Sequence, residues 1–285
     1  MLEENKIHQG DCMELMKHIP DKKVDMILCD LPYGTTACEW DKVLPLDELW
    51  KQYKRLLKEN GVVVLYGNNI FSIKLAFSNI DMFKYKYVWI KNNSTLFVHA
   101  KNRPLVKHED ILIFSNAPMG HISLLNEKRM PYNPQGITKV TKRWKRPHSN
   151  FKNTFGKRPS HKLEIEIEAE NYPTDVLIDY PELLGNKTHP NEKPESLNRF
   201  LIQTYTQEGE LVLDNCAGTG STLVACKQTN RRFIGIELNQ EYVDISNRRL
   251  TQQTVSDFYS NESSNTCLTD FSVEKSQIPP SAELR

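Results

Sequence analysis

No cysteine pair, no zinc-like spacing, no bilayer-length apolar run and no large net charge mark this sequence. Six cysteines stand at 12, 29, 38, 216, 226 and 267, none of them in a C-x-x-C pair, and His189 has no cysteine neighbour at zinc spacing. A structural metal is therefore not expected. No apolar run approaches the roughly 18 residues that span a bilayer. The opening "MLEENKIHQG" holds no apolar stretch of signal length. Unpaired cysteines without such a segment predict a reducing cytoplasm and no membrane partner. The net charge of +1 over 285 residues singles out no partner. There is no internal repeat.

What is present reads as alternating strands and helices. "KVDMILCD" is a continuous apolar strand, and "VVVLYG" (62–67), "KYVWIK" (86–91) and "DILIFS" (110–115) are further strands. "LDELWKQYKRLLKENG" places Leu49, Trp50, Tyr53, Leu56 and Leu57 on one helical face, with Asp47 placed to cap its start and Gly61 to follow its end. "PESLNRFLIQTYT" is helical, with Leu197, Phe200 and Leu201 on one face. Strand, helix, strand in this order predicts a parallel α/β sheet with helices on both faces.

Two stretches carry chemistry in the second half. "VLDNCAGTGST" puts Asp214 at a strand end and Gly218 and Gly220 in a turn, before a helix beginning near Ser221. Such a turn lets backbone approach a ligand closely. "IGIEL" ends the next strand on Glu237, and an acid there can accept both hydroxyls of a ribose. The dinucleotide fingerprint G-x-G-x-x-G is not completed, since Ser221, Thr222 and Leu223 follow Gly220. No lysine follows the glycines either, so an ATP phosphate loop is disfavoured. The ligand indicated is a nucleoside without a diphosphate.

In the first half, "DLPYG" (30–34) follows a strand. Taken with its downstream partners it resembles the D-P-P-Y motif of the amino-methyltransferases that act on DNA, in the group whose catalytic motif comes first. "HPNEKP" (189–194) resembles that family's H-P-x-x-K-P, and "DNCAGTGST" (214–222) its D-P-F-A-G-S-G-T-T. "FIGIELNQEY" resembles its acidic ribose-binding stretch, "IHQGDCMELM" its opening G-D segment, and "NRPLVKHEDILIFS" a further strand region. The matches keep the family's order over most of residues 7–250.

The resemblance implies a Rossmann-like methyltransferase fold using S-adenosyl-L-methionine, with a mostly parallel sheet. It implies a cofactor pocket built from Asp11, Cys12, His189, Lys193, Asp214, Cys216, Ala217, Gly218, Gly220, Ser221, Glu237 and Leu238. Asp11 would lie near the adenine and Glu237 on the ribose. Catalysis would fall to Asp30, Leu31, Pro32 and Tyr33. An exocyclic amine is a poor nucleophile because its lone pair is delocalised into the ring. Two acceptors on its N–H groups, the Asp30 carboxylate and the carbonyl of residue 31, favour a tetrahedral nitrogen. Tyr33 offers a face for the base to stack on, and the base must leave the duplex to arrive there. Two departures stand out: Leu31 replaces the family's first proline but keeps the carbonyl, and Cys216 stands where phenylalanine is common.

Between the motif groups, residues 119–163 hold eleven basic residues and one acid, Glu127. The alternating acidic "LEIEIEAE" follows as an exposed strand. In the family this position carries target recognition. Lys142, Arg143, Trp144, Lys145, Arg146, Lys157 and Arg158 are the candidate DNA contacts, through phosphate neutralisation. Trp144, Tyr132, Phe151 and Phe155 are candidates for stacking at an opened step, and Asn150, Asn153, Arg143 and Arg146 for reading base edges. The expected organisation is a catalytic half (1–118), an inserted recognition region (119–180), a cofactor half (181–250) and a disordered tail (251–285).

The function implied is methylation of adenine N6 in double-stranded DNA, because Asp rather than Ser opens the catalytic motif. Cytosine-N4 methylation, an RNA substrate and a silent DNA-binding scaffold stay open, as do a homodimer and a cognate restriction endonuclease.

Overall fold

The structure is a computed structural model describing residues 1–34, 42–120, 125, 128–145, 164–181 and 192–263. Its centre is an eight-stranded sheet in the order β1-β10-β9-β2-β3-β5-β4-β8. The strands are β1 (Lys6–Gln9), β2 (Val24–Cys29), β3 (Leu57–Gly67), β4 (Phe83–Thr95), β5 (Val106–Ser115), β8 (Val176–Leu177), β9 (Leu211–Asp214) and β10 (Arg232–Glu237). A separate two-stranded ribbon pairs β6 (Thr138–Lys145) with β7 (Glu164–Glu170). The helices are α1 (Cys12–Leu15), α2 (Leu46–Leu56), α3 (Asn69–Ser78), α4 (Glu195–Tyr205), α5 (Ser221–Gln228) and α6 (Gln240–Ser263). Among the described residues, no helix is long and apolar enough to cross a membrane.

Strand alternation decides the layers. All six residues of β2 are buried, so both of its faces meet core. Met26 and Leu28 point to the side where Val62, Val64, Val212 and α4 residues Leu197, Phe200 and Leu201 pack. Ile27 and Cys29 point to the other, with Val63, Leu65, Leu213 and the α2 residues Leu49, Trp50, Tyr53 and Leu56. Each such buried side chain contributes about 1.5–3 kcal/mol. This is the doubly covered α/β sheet that the periodicity predicts.

The sheet is mixed, not wholly parallel. β1, β10, β9, β2 and β3 run parallel, but β5 is antiparallel to both β3 and β4. The α2 end signals also act differently from the expectation. Pro45 is the N-cap, and Asp47 sits in the first turn without a capping bond. β3 begins at Leu57, so Gly61 lies within a strand. There a Cβ would come within 2.8 Å of the Asp25 carbonyl, so glycine is needed for strand packing and not to stop a helix.

The inserted region is tied to the core at its ends. β8 pairs with β4 through Val88–Val176 and Trp89–Leu177, and the Trp89 indole donates to the Tyr180 carbonyl at 2.9 Å. At the C-terminal side, α6 continues to Ser263, so the boundary expected at 250 falls inside a helix. The remainder of the expected tail, 264–285, lies outside the described residues.

The two turn glycines have different tasks. Gly220 caps α5 in the left-handed region (φ +82°), and a Cβ there would fall 2.1 Å from Ser246 Oγ on α6. Gly218 is also left-handed (φ +51°), with nothing within 4 Å of a Cβ. Chemical denaturation therefore separates them. Gly220→Ala, with strain and a clash, loses about 2–5 kcal/mol, whereas Gly218→Ala loses about 1–2 kcal/mol from the backbone alone. Equal losses would contradict the packing role of Gly220.

Candidate active site

In parallel strands the carboxyl ends open onto one edge, where ligands gather. The register here brings four acids to that edge. Gln9 pairs with Glu237, so Gly10 and Asp11 emerge beside the end of β10. Gly235 pairs with Asp214, and Asp30 follows directly on β2. The antiparallel β5 reaches the same edge with its early residues, because Asp110 pairs with Gly67. A cavity of about 770 Å³ lies there, a size suited to a small molecule.

At one end of the cavity the glycine turn meets Glu237. The Gly218 N–H donates to Glu237 Oε2 at 2.8 Å, and the Asn239 N–H donates to Oε1 at 2.8 Å. Asp11 caps α1, its Oδ1 accepting from Met13 N–H at 2.7 Å and Glu14 N–H at 3.1 Å. Asp214 is 3% exposed and accepts from the Cys216 N–H at 3.1 Å. Burial pushes its carboxyl up to about 7, against the hydrogen bonds of Thr222 and Cys216. Cys12, Cys29, Cys216 and Cys226 are all free thiols. Burial pushes Cys29 up to about 12, so it remains a neutral packing group.

The D-L-P-Y turn, at the end of β2 beside β9, lines the same cavity. The Tyr33 hydroxyl donates to Asp30 Oδ1 at 2.7 Å, and Lys193 Nζ lies 2.8 Å from Asp30 Oδ2. The Tyr33 ring stacks on Phe71 at 4.7 Å between centroids. Leu31 is 3% exposed and packs in the core, so side-chain burial anchors this turn where a proline ring would fix φ. Partial burial raises the Asp30 carboxyl above its ordinary value, opposed by the Lys193 charge. Lys193 also reaches Glu109 Oε2 at 3.0 Å, and Lys91 Nζ lies 2.6 Å from Glu109 Oε1.

The cavity lining includes Asp11, Cys12, Asp30, Leu31, Pro32, Tyr33, Lys193, Asp214, Cys216, Ala217, Gly218, Ser221, Glu237 and Leu238. All of these were singled out by the motifs. Lys193, grouped with the cofactor residues, lines the same cavity and ion-pairs with Asp30. Gly220 does not line the cavity; it packs against α6. His189 lies outside the described residues. Motif reading missed Glu109, Lys91 and Tyr66. The "KHED" text held Glu109 in view, but nothing in it signalled that an antiparallel strand would turn that carboxylate toward Lys193.

The candidate nucleic-acid residues fare differently. Arg146, Asn150, Phe151, Asn153, Phe155, Lys157 and Arg158 lie outside the described residues. Lys142, Arg143, Trp144 and Lys145 are on β6, facing acidic β7. Arg143 pairs in register with Glu166 and Lys145 with Glu164, and Lys142 Nζ meets Glu170 Oε1 at 2.7 Å. The Lys142–Glu170 pair thus offsets one basic charge that a linear count leaves uncompensated. Tyr132 is not poised as a wedge, for it packs against the core with its ring 6.5 Å from Tyr205.

Comparison with known proteins agrees with this architecture. The family model for DNA methylase, of the N6/N4 type, matches residues 24–248. A type II methyltransferase of Moraxella bovis, M1.MboII, is 29% identical over 271 residues, covering 88% of this chain and 98% of the relative. The structure of an M1.HpyAVI–SAM complex superposes with a TM-score of 0.55 at 22% identity, covering 86% of this chain and 98% of that one. The PvuII DNA methyltransferase, described as cytosine-N4-specific, gives 0.58 at 18% identity over 90% of this chain and 91% of its own.

The raised Asp214 carboxyl has a thermodynamic signature. The folded chain holds this proton more tightly than the unfolded chain, so stability falls as pH rises from 3.8 through about 7. Asp214→Asn removes that dependence and stabilises the unliganded fold at pH 8 by about 1–4 kcal/mol. Thermal or denaturant unfolding at pH 5 and pH 8 measures it. An unchanged or lower stability at pH 8 would show that Asp214 is not carrying a buried charge.

Proposed function

Because the chain belongs to the N6/N4 DNA methylase family, we propose that it methylates the exocyclic N6 of an adenine in duplex DNA, using S-adenosyl-L-methionine. The observation that carries the reading is the Asp30 carboxylate, held between Tyr33 and Lys193 in the lining of a cavity that also holds Glu237 and Asp214. The site fits the cofactor on its own chemistry. Gly218 leaves open space where a side chain would intrude, and carboxylates share the lining with it, as a cationic nucleoside requires.

Glu237 would hold the ribose hydroxyls, sharing its oxygens with the Gly218 and Asn239 amides. Asp11 and Leu238, both in the cavity lining, would border the adenine ring, and Asp214, also in the lining, would face the cationic portion. When bound, the cofactor supplies an already activated methyl group on sulfur, so the chain's own residues act chiefly by orientation and electrostatics. Asp30 and the carbonyl of Leu31 accept the two N–H groups of the target amine. The nitrogen lone pair is freed for the new N–C bond, and the surplus N–H proton passes to the Asp30 carboxylate. A base stacked on Tyr33 would use the face opposite Phe71.

Adenine is favoured because a carboxylate opens the catalytic motif. Cytosine N4 presents the same exocyclic amine chemistry, and the fold neighbour described as cytosine-N4-specific keeps that product as the second reading. The type II name of M1.MboII makes a cognate restriction endonuclease a partner worth testing.

Incubation with labelled cofactor and duplex DNA, followed by nucleoside analysis, should yield N6-methyladenine. N4-methylcytosine would replace the adenine assignment, and no labelled base would refute the activity. Asp30→Ala should lower kcat by about 10²–10⁴ while cofactor affinity stays within twofold. Leu31→Pro keeps the carbonyl and should retain transfer, at some loss of stability because Leu31 is buried. Full turnover by Asp30→Ala would remove Asp30 from the mechanism.

A further inference from the structure

Behind Asp30 lies a row of charges of alternating sign. Asp30 Oδ2 contacts Lys193 Nζ at 2.8 Å, Lys193 contacts Glu109 Oε2 at 3.0 Å, and Glu109 Oε1 contacts Lys91 Nζ at 2.6 Å. Three of the four side chains are almost sealed from water, at 8% exposure for Lys193, 9% for Glu109 and 11% for Lys91. Asp30, at 27%, is the end that opens onto the cavity. The members come from four separate places: the turn after β2, the segment before α4, β5 and β4. Burying charges is costly unless each is matched, so the fold maintains this row at an expense that packing alone does not require.

We propose that Lys193 and Glu109 are positioning residues for Asp30: Lys193 holds its carboxylate ionised and oriented toward the target amine, and Glu109, backed by Lys91, holds Lys193 in place and limits how much of its charge Asp30 receives. This rests on the catalytic reading of Asp30. The geometry explains why both oxygens are engaged. Tyr33 pins Oδ1 and Lys193 pins Oδ2, fixing the carboxylate plane, while each oxygen retains a further lone pair for an incoming N–H. Lys193 Nζ also lies 5.1 Å from the Tyr66 ring centroid, so the ammonium is seated between an aromatic face and two carboxylates.

The two neighbours pull Asp30 in opposite directions. Lys193 favours its ionised form, and Glu109 disfavours it by like charge. Tyr33 on the same turn donates a hydrogen bond that also favours ionisation. Asp214 on β9 feels Asp30 as a like charge, and Tyr66 on β3 and Cys29 on β2 are neutral groups whose ionisation Asp30 opposes. Glu109 itself is drawn down to about 2 by Lys193 and Lys91, against the cost of its burial. Burial is the largest influence and raises the Asp30 carboxyl, with Lys193 opposing it, so its proton affinity lies above that of an exposed aspartate, as a group accepting a proton from the methylated amine requires.

The test compares two variants expected to move in opposite directions. Asp30 is followed by ¹³C-carboxyl NMR titration of the unliganded full chain, its resonance assigned with Asp30→Asn. Lys193→Gln should raise the Asp30 midpoint by about 1–3 pH units and Glu109→Gln should lower it by about one. Lys193→Arg should restore the midpoint to near that of the unaltered chain. The acidic limb of kcat, measured at saturating cofactor and DNA, should follow the same order. Midpoints unchanged in both glutamine variants, or moved the same way, would overturn the proposal. Should Lys193→Gln fail to fold, Glu109→Gln still decides it: a lowered Asp30 midpoint supports the proposal, and an unchanged or raised one overturns it. The NMR readout needs no turnover. Loss of the catalytic role, seen as full activity in Asp30→Ala, is therefore distinguishable from loss of the ion-pair coupling.

Discussion

The parallel register of β1, β10, β9 and β2 is the constraint on which the site depends. Backbone hydrogen bonds fix those strands side by side, and each ends at or just before an acid: Asp11, Glu237, Asp214 and Asp30. No local preference brings these residues together, because they come from both ends of the chain. Once the ladders form, four carboxylates must share one cavity edge, and each needs its own way of bearing a charge in a partly dry setting.

The solutions differ along the edge. Glu237 and Asp11 are met by backbone amides, the first from the glycine turn and the second from the start of α1. Asp214 is buried with hydrogen bonds but remains costly to ionise, which leaves it responsive to a cationic ligand. Asp30 is met by an ammonium that is itself held from behind. One cavity thus has an acidic end that suits a positively charged nucleoside and a charge-compensated end that suits proton acceptance. This division gives the proposed methyl transfer its polarity.

The reversal of β5 serves the same division. A parallel strand at that position would present its carboxyl end to the cavity. The antiparallel strand instead presents Glu109 from its early half, where it meets Lys193 and Lys91. The ribbon of β6 and β7 shows the same principle at the surface. Pairing puts Glu164 and Glu166 in register with Lys145 and Arg143, and Lys142 meets Glu170 across the ribbon, so a region that reads as strongly basic gains an acidic partner strand.

Much of this was legible in the residues alone. Continuous apolar runs named the buried strands, helical spacing named the faces of α2 and α4, and ordered short motifs named most of the cavity lining. These signals are local, which is why a linear text can hold them. The tertiary structure decided what depends on pairing: that β5 runs backward, that Lys193 turns to Asp30 and Glu109, that Tyr132 packs against the core, and that Gly220 serves α6. The physical reason is that a side chain's type and spacing are written in the sequence. The charge it faces is chosen only when strands distant in sequence settle into register.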